Sequence, residues 1–374
     1  MRLEKYLARS LLTTTVVGSF VAIALLLGLQ VLRLSDIIVK FDLNLVDIAT
    51  MLGGLGLSFV PLVLPIAFLF ALLMLFGQMA TDKELVALLS LGVSPWKILR
   101  APLFMGGLLV LVTTLAAAQL GPLGNQEFEK SIDSAFKRRV ASALRSGTFS
   151  MGFLDLVIFV DSVDPATQKL ERVFVFDETN FEEKVAISAR QGQWIQSPET
   201  GTSTLKLSDG VLVSQNIERQ TVKRVDFEDY RVHADFSRQT GVSKTSPPSL
   251  TLTQLFAKRA EMKSQPYSID PRGFWVEIWR RFALGFLPIL FVPLAFSLSL
   301  NNHRTARSQA TFWGLLIIFS YWTMYFTSIT FVLKGQHEIL WTQEWPAVLS
   351  AWVPNFVVLG VGLVLYRHRT RPMG

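Results

Sequence analysis

Six long apolar runs, none containing Asp, Glu, Lys or Arg, constrain this chain more than any other feature. A helix needs about 20 mostly apolar residues to cross a bilayer, and each run is long enough to do so. Three runs precede a polar stretch of residues 127–281 and three follow it. We therefore predict six transmembrane helices in a three-plus-three arrangement. The runs are Ser10–Leu32, Ile48–Thr81, Ala101–Gln126, Phe282–His303, Ser308–Leu333 and Trp345–Tyr366.

The composition excludes a fully soluble protein and several kinds of chemistry. Hydrophobic residues make up 50% of the chain and charged residues only 17%, whereas soluble domains carry about 25% charged residues. Because there is no cysteine, disulfide frameworks and thiolate sites are excluded. The four histidines are isolated, and no phosphate-binding G-x-x-x-x-G-K-[ST] loop occurs. We expect no catalytic residue, no metal site and no cofactor.

The short segments between the runs carry an asymmetric charge. Eleven Lys and Arg residues lie on the side of the termini and three on the other side. The positive-inside rule then predicts cytoplasmic termini and an exported polar stretch. Arg280 and Arg281 lie on the outer side and oppose this orientation. The first run is too long for the core of a signal peptide, so we interpret it as a transmembrane helix.

The exported stretch alternates between apolar and polar residues in short segments. Turn signals such as Asp164-Pro165 and Asp209-Gly210 separate these segments. Short strands at this spacing favour an antiparallel sandwich, a jelly roll or an open barrel. We predict a domain over residues 127–270 with its strands at about 150–236. Transmembrane segments at 1–126 and 271–374 flank it.

The loop between the second and third runs predicts a short helix at about residues 82–91. Thr81 and Glu84 fit a capping box at its start, and Gly92 is a good helix stop. Ser94 then offers a cap for the next helix, with a proline directly after it.

An apolar stripe on this short helix has two interpretations. Leu85, Leu88 and Leu89 fall on one helical face. Periodicity alone favours an interfacial connector whose stripe rests on lipid or on the protein's own helices. The functional interpretation is a docking helix for a cytosolic partner.

The same loop resembles a known family. The stretch TDKELVALLSLGVSPWKI is similar to the coupling-helix signature of the LptF/LptG permeases (the YjgP/YjgQ family). The opening KYLARSLL resembles that family's start, and VDFEDYRV resembles its LptF branch more than LptG. The layout of three spans, a periplasmic β-jellyroll and three spans matches over nearly the whole chain.

The resemblance implies a function and a set of partners. Such a permease pairs with an LptG-like subunit on a dimeric cytosolic ATPase (LptB-like) in the inner membrane. The complex extracts lipopolysaccharide and passes it through LptC-like and LptA-like periplasmic jellyrolls. ATP hydrolysis then belongs to the partner, in agreement with the missing phosphate-binding loop. The implied ATPase-coupling residues are Glu84, Leu85, Leu88, Leu89, Gly92 and Ser94.

Basic residues near the outer ends of the spans are candidate lipid contacts. Arg33 matches a family position thought to contact the phosphates of the lipid, and an Arg can bind phosphate in a bidentate way. The alternative is an ordinary snorkelling anchor. Lys40 and Lys334 share this rim in our interpretation, and Arg280 and Arg281 would lie near it.

We therefore predict an α+β membrane protein with six transmembrane helices and an inserted periplasmic β-jellyroll domain. Its predicted function is that of a permease subunit of an ATP-binding-cassette lipopolysaccharide exporter. The alternative is a non-transporting membrane scaffold that displays a periplasmic β-domain.

Overall fold

The computed structural model of the chain falls into two compact units. The first comprises residues 1–32, 52–125 and 247–374, and the second residues 33–51 and 126–246. The structure describes residues 2–40, 43–143, 148–153, 156–163, 169–177, 183–196, 203–216, 221–234, 246–264, 270–300, 306–335 and 343–370.

Nine α-helices occur in the described residues, with a π-helical turn at Ala116–Leu120 and a 3₁₀ turn at Pro247–Ser249. Six of the helical stretches are long and apolar enough to cross a membrane, which confirms the predicted number. The helices are α1 (Arg2–Lys40), α2 (Leu45–Thr81), α3 (Glu84–Ser90), α4 (Pro95–Leu115), α5 (Gly121–Ala143), α6 (Leu252–Ser264), α7 (Arg272–Ser299), α8 (Ala306–Lys334) and α9 (Trp345–Thr370).

The main apolar core lies around helices α2 and α7. Phe68, Phe76 and Phe296 are fully buried there. The rings of Phe76 and Phe296 meet edge to face, with 5.3 Å between their centroids, an arrangement that aromatic pairs prefer. Because no hydrophobic effect drives helices together inside a bilayer, close packing of this kind is a main source of their association.

Helices α7, α8 and α9 are also joined by buried hydrogen bonds. The Tyr321 hydroxyl donates to Asn355 Oδ1 at 3.1 Å, and Asn355 Nδ2 donates to the Ala283 carbonyl at 2.8 Å. Nearby, Ser328 Oγ donates to the Ser350 carbonyl at 2.8 Å. These bonds hold the three helices against one another, since polar groups buried away from water need a partner.

The described strands of the second unit form one antiparallel sheet. Its order, β1-β2-β3-β4-β5-β6, follows the sequence without a crossover. The α+β membrane fold with an inserted antiparallel sheet is confirmed. The choice among a sandwich, a jelly roll and an open barrel stays a prediction. The strands are Thr148–Phe153, Leu156–Val163, Lys169–Asp177, Glu183–Gln196, Ser203–Asn216 and Thr221–Ala234.

Two strands of this sheet contain a residue with positive φ that interrupts the regular strand. In β3, Glu171 and Arg172 are both exposed between the buried Leu170 and Val173, and Arg172 has φ 50°. In β5, the strand is likewise interrupted at Asp209, with φ 55°. Such interruptions bend a strand and strengthen its twist. They also return apolar residues to one face, where the buried side chains are Val160, Leu170, Val173, Val175, Ile187, Ala189, Leu205 and Leu207.

The opposite face of the sheet carries charged side chains near these interruptions. Lys206 Nζ and Ser208 Oγ lie 2.9 and 2.7 Å from the carboxylate of Asp229. The hydrogen bonds from Lys206 and Ser208 hold the pKa of the Asp229 carboxyl below its ordinary value. The two faces of the sheet therefore differ sharply in polarity.

Candidate functional site

The turn into α3 differs from the predicted capping box. Thr81 ends α2, and its hydroxyl donates back to the Gly77 carbonyl at 2.8 Å. The residue before α3 is Lys83, in the left-handed region with φ 58°, and it makes no capping hydrogen bond. The prediction of Thr81 as the cap was therefore wrong, because its hydroxyl is used by the preceding helix. Glu84 opens α3, where a carboxylate is favourable to the helix dipole.

The end of α3 follows the predicted pattern. Gly92 has φ 75°, its N–H donates to the Leu89 carbonyl at 3.0 Å, and the Val93 N–H donates to the Leu88 carbonyl at 3.1 Å. This pair of bonds is a Schellman motif, which favours glycine at the left-handed position. Ser94 precedes α4 as its N-cap without a side-chain bond, and proline is the first helical residue. Gly92 and Ser94 therefore shape the connector.

The leucine stripe of α3 faces the protein's own core. Leu85 is 1% exposed, and Leu88 and Leu89 are half-buried against the main cluster. The structure thus places these side chains as the connector interpretation expects. Glu84 lies on the exposed part of α3, and Leu91 directly after it is 81% exposed.

A cavity of about 370 Å³ lies beside α3 within the first unit. It is bounded by the end of α2, by one side of α3 and by the last residues of α7. The α3 residues that line it include Val86, which is exposed. The connector therefore combines an exposed carboxylate with an apolar recess.

The candidate lipid contacts lie on different parts of the molecule. Arg33 is exposed on α1 and belongs to the second unit. Lys334 is exposed at the last position of α8 and belongs to the first unit. Lys40 ends α1, and its side chain lies outside the described residues.

The two arginines that opposed the predicted orientation share one buried carboxylate. Glu277 is 4% exposed. Arg280 binds it through two nitrogens, at 2.7 and 2.6 Å, and Arg281 Nε donates to it at 2.8 Å. Arg281 is only 2% exposed, so its charge is used inside the protein, and the expectation that both arginines lie near the lipid rim stays a prediction. The positive-inside rule counts charges in the loops that flank the spans. Arg280 and Arg281 lie inside α7 and are paired with Glu277, so they carry little weight against the predicted orientation.

Further polar contacts join the start of α7 to its neighbours. Arg272 donates to the Val332 and Gly335 carbonyls at 3.1 and 2.8 Å, and so caps the end of α8. Glu344, before α9, accepts from Trp279 at 2.9 Å and from Arg259 at 2.5 Å. These roles of Arg272, Glu277 and Glu344 were not predicted from the sequence. The available signal was that all three are charged residues shortly before an uncharged run, where unpaired charges are costly. Arg272 and Glu277 precede the fourth run, and Glu344 precedes the sixth.

No group of three or more metal-ligating carboxylate and imidazole side chains occurs in the part of the chain that the structure describes. The six apolar helices, the connector and the inserted sheet define a multi-pass α+β membrane protein.

A comparison with protein families assigns this protein to a particular one. The family model for the lipopolysaccharide export system permease LptF/LptG matches residues 5–368. This match spans essentially the whole sequence, and the chain belongs to the LptF/LptG family. No curated protein matches the chain in sequence. Members of the family are permease subunits of lipopolysaccharide export, and the match does not distinguish LptF from LptG.

Proposed function

We propose that this chain is one permease subunit of an ATP-driven lipopolysaccharide exporter of the inner membrane. The family match over residues 5–368 carries the proposal. A separate LptB-like ATPase supplies the energy, and a second, LptG-like subunit completes the membrane part. The stretch VDFEDYRV supports the LptF branch for this chain.

The connector around α3 is the proposed docking site for the ATPase. The burial of Leu85 against the core supports a role in holding α3 rather than in touching a partner. Glu84 and Leu91 are exposed and available for docking. In this arrangement, movement of the ATPase is passed through α3 to the helices on either side of it, α2 and α4.

The pairing with a second permease subunit is supported by two poorly covered helices. Only 11% of the apolar window of α1 and 17% of that of α8 are buried. Apolar faces of membrane helices meet either lipid or another subunit. We propose that the second subunit covers part of these faces, and that Arg33, in the second unit, and Lys334, in the first, each contact lipid phosphates.

The β-sheet unit is the proposed exit path for the lipid. Its buried apolar face offers a place for acyl chains, and an edge strand offers backbone groups to the next jellyroll by strand addition. LptC-like and LptA-like proteins are the proposed neighbours. The charge asymmetry of the short loops supports cytoplasmic termini and a periplasmic sheet.

Co-purification tests the ATPase partnership. The full chain is produced with its second subunit and candidate cytosolic ATPases, and is isolated in mild detergent. We expect an ATPase to be retained by the wild type and lost with Glu84→Lys. Lys97→Glu, on the adjacent segment, is the matched charge-reversal control and is expected to retain it.

Retention of no ATPase by the wild type would overturn the exporter proposal and favour the non-transporting scaffold. Retention by Glu84→Lys at the wild-type level would remove Glu84 from the docking site.

A further inference from the structure

A buried arginine holds the segment through which the chain returns from the β-sheet unit. The return segment (residues 247–251) follows the last residue of the second unit and leads into α6. Arg281 Nη2 lies 3.3, 3.3 and 2.7 Å from the carbonyl oxygens of Pro247, Pro248 and Leu250. One guanidinium group therefore binds nearly the whole return segment to α7.

The outgoing connection is tied to the same place. Asn125 is the last residue of the first unit before the chain enters the second. Its Nδ2 donates to the Pro248 carbonyl at 3.2 Å. The two connections that flank residues 126–246 thus meet at a single carbonyl group, and Ser249 beside it is fully buried.

The energetic cost of this arrangement argues for a specific role. A buried charge costs several kcal/mol unless it is well paired, and an apolar contact of the same volume often stabilises a fold as much or more. Here two arginines share Glu277. A guanidinium group offers five donors in a fixed fork. It can bind a carboxylate and a row of carbonyls together and so fix the direction of the segment.

We propose that Arg281 is a positioning residue that couples α7 to the return segment. When α7 shifts during transport, the return segment shifts with it, and the movement reaches the chain that leads to the β-sheet unit. Glu277 orients the guanidinium group. This inference rests on the proposed function, since it assigns Arg281 a part in passing movement from the membrane helices to the exit path.

The test compares lipid transfer with ATP hydrolysis in the complete reconstituted complex. For Arg281→Gln we expect about a tenfold fall in lipopolysaccharide transferred per ATP hydrolysed, which corresponds to about 1.4 kcal/mol. The ATP hydrolysis rate per assembled complex stays near the wild-type level. Arg281→Lys keeps the charge but loses the fork, so we expect an intermediate ratio.

Arg272→Gln is the matched control, because Arg272 is also a buried arginine of α7 but binds the end of α8. We expect it to lower the amount of complex without changing the ratio. A wild-type ratio in Arg281→Gln, or the same fall in Arg272→Gln, would overturn the proposal. If Arg281→Gln does not accumulate, the ratio measured for Arg281→Lys decides in the same way.

A crosslink provides a rescue experiment. A Cβ at Gly273 would lie 3.5 Å from Pro247 Cγ, which brings the two positions near disulfide range. Because the chain has no cysteine, the pair Pro247→Cys and Gly273→Cys can be introduced cleanly into Arg281→Gln. We expect oxidation to restore transfer per ATP and reduction to return it to the level of Arg281→Gln. Failure of the formed crosslink to restore transfer would contradict the proposal, whereas a wild-type complex that transfers no lipid would overturn the proposed function itself.

Discussion

Helices α1 and α7 are both apolar enough to span a membrane, but different surroundings cover them. In α7, 67% of the apolar window is buried within the chain, and in α1 only 11%. Helix α7 is also bound to α8 through Arg272 and to α9 through Asn355. A hydrophobic sequence thus places a helix in the membrane but does not tell whether its own chain or an outside surface surrounds it.

The largest expected effect concerns the C-terminal end of α7, Arg272–Ser299. Phe296→Ala removes a fully buried ring that contacts Phe76 and lies 6.2 Å from Tyr366. We expect a loss of about 3–5 kcal/mol in stability, measured by thermal or denaturant unfolding of the purified chain.

Phe20→Ala in α1 is the matched control, since Phe20 is 72% exposed. Its expected change in stability is within about 0.5 kcal/mol. Equal losses for the two variants would remove the distinction between the helices.

The second prediction compares a buried and an exposed leucine within α1. Leu11 is fully buried in the main core, whereas Leu25 is 67% exposed. We expect Leu11→Ala to cost about 2–5 kcal/mol and Leu25→Ala almost nothing in the isolated chain. Unfolding of the two variants measures this difference. A small effect of Leu11→Ala would show that the N-terminal end of α1 is not anchored to the core.

The third prediction tests the polar bonds that hold α7 among its neighbours. Asn355→Ala removes an acceptor for Tyr321 and a donor to Ala283. Because it leaves a buried hydroxyl unpaired, we expect a loss of about 1–3 kcal/mol. A double-mutant cycle with Tyr321→Phe, read by unfolding, gives the coupling between the two side chains. Strict additivity would contradict the bond.

The smallest effect is expected outside both helices, at the end of α3. Gly92→Ala places a side chain on a residue with φ 75°, although no atom lies within 4 Å of the added Cβ. The cost is therefore one of backbone conformation, about 1–2 kcal/mol. Gly92→Asn is expected to cost less, because asparagine tolerates this region. An equal loss for both, measured by unfolding, would point to crowding instead.

Part of this structure could be predicted from the sequence because it depends on local rules. Uncharged runs identified the six apolar helices, and the left-handed stop at Gly92 follows from the residue type. The capping role of Thr81 failed because the hydroxyl had a second acceptor, at Gly77, within its own helix.

Other features depend on contacts between distant residues. The direction of the Leu85 side chain, toward the core rather than a partner, required the packing of α3 against the other helices. The binding of Arg281 to the return segment joins residues more than 30 positions apart. The strands were predicted from their apolar–polar alternation. The residues Arg172 and Asp209 interrupt that alternation within β3 and β5, so the pattern itself could not predict them.

The most direct test of the proposed function is the release of lipopolysaccharide from proteoliposomes that contain the complete complex. Lipid transferred to a soluble periplasmic jellyroll acceptor is measured with and without ATP, and with this chain present or omitted. We predict release only when both ATP and this chain are present. Release at the same rate without ATP, or without this chain, would contradict its assignment as a permease subunit of an ATP-driven exporter.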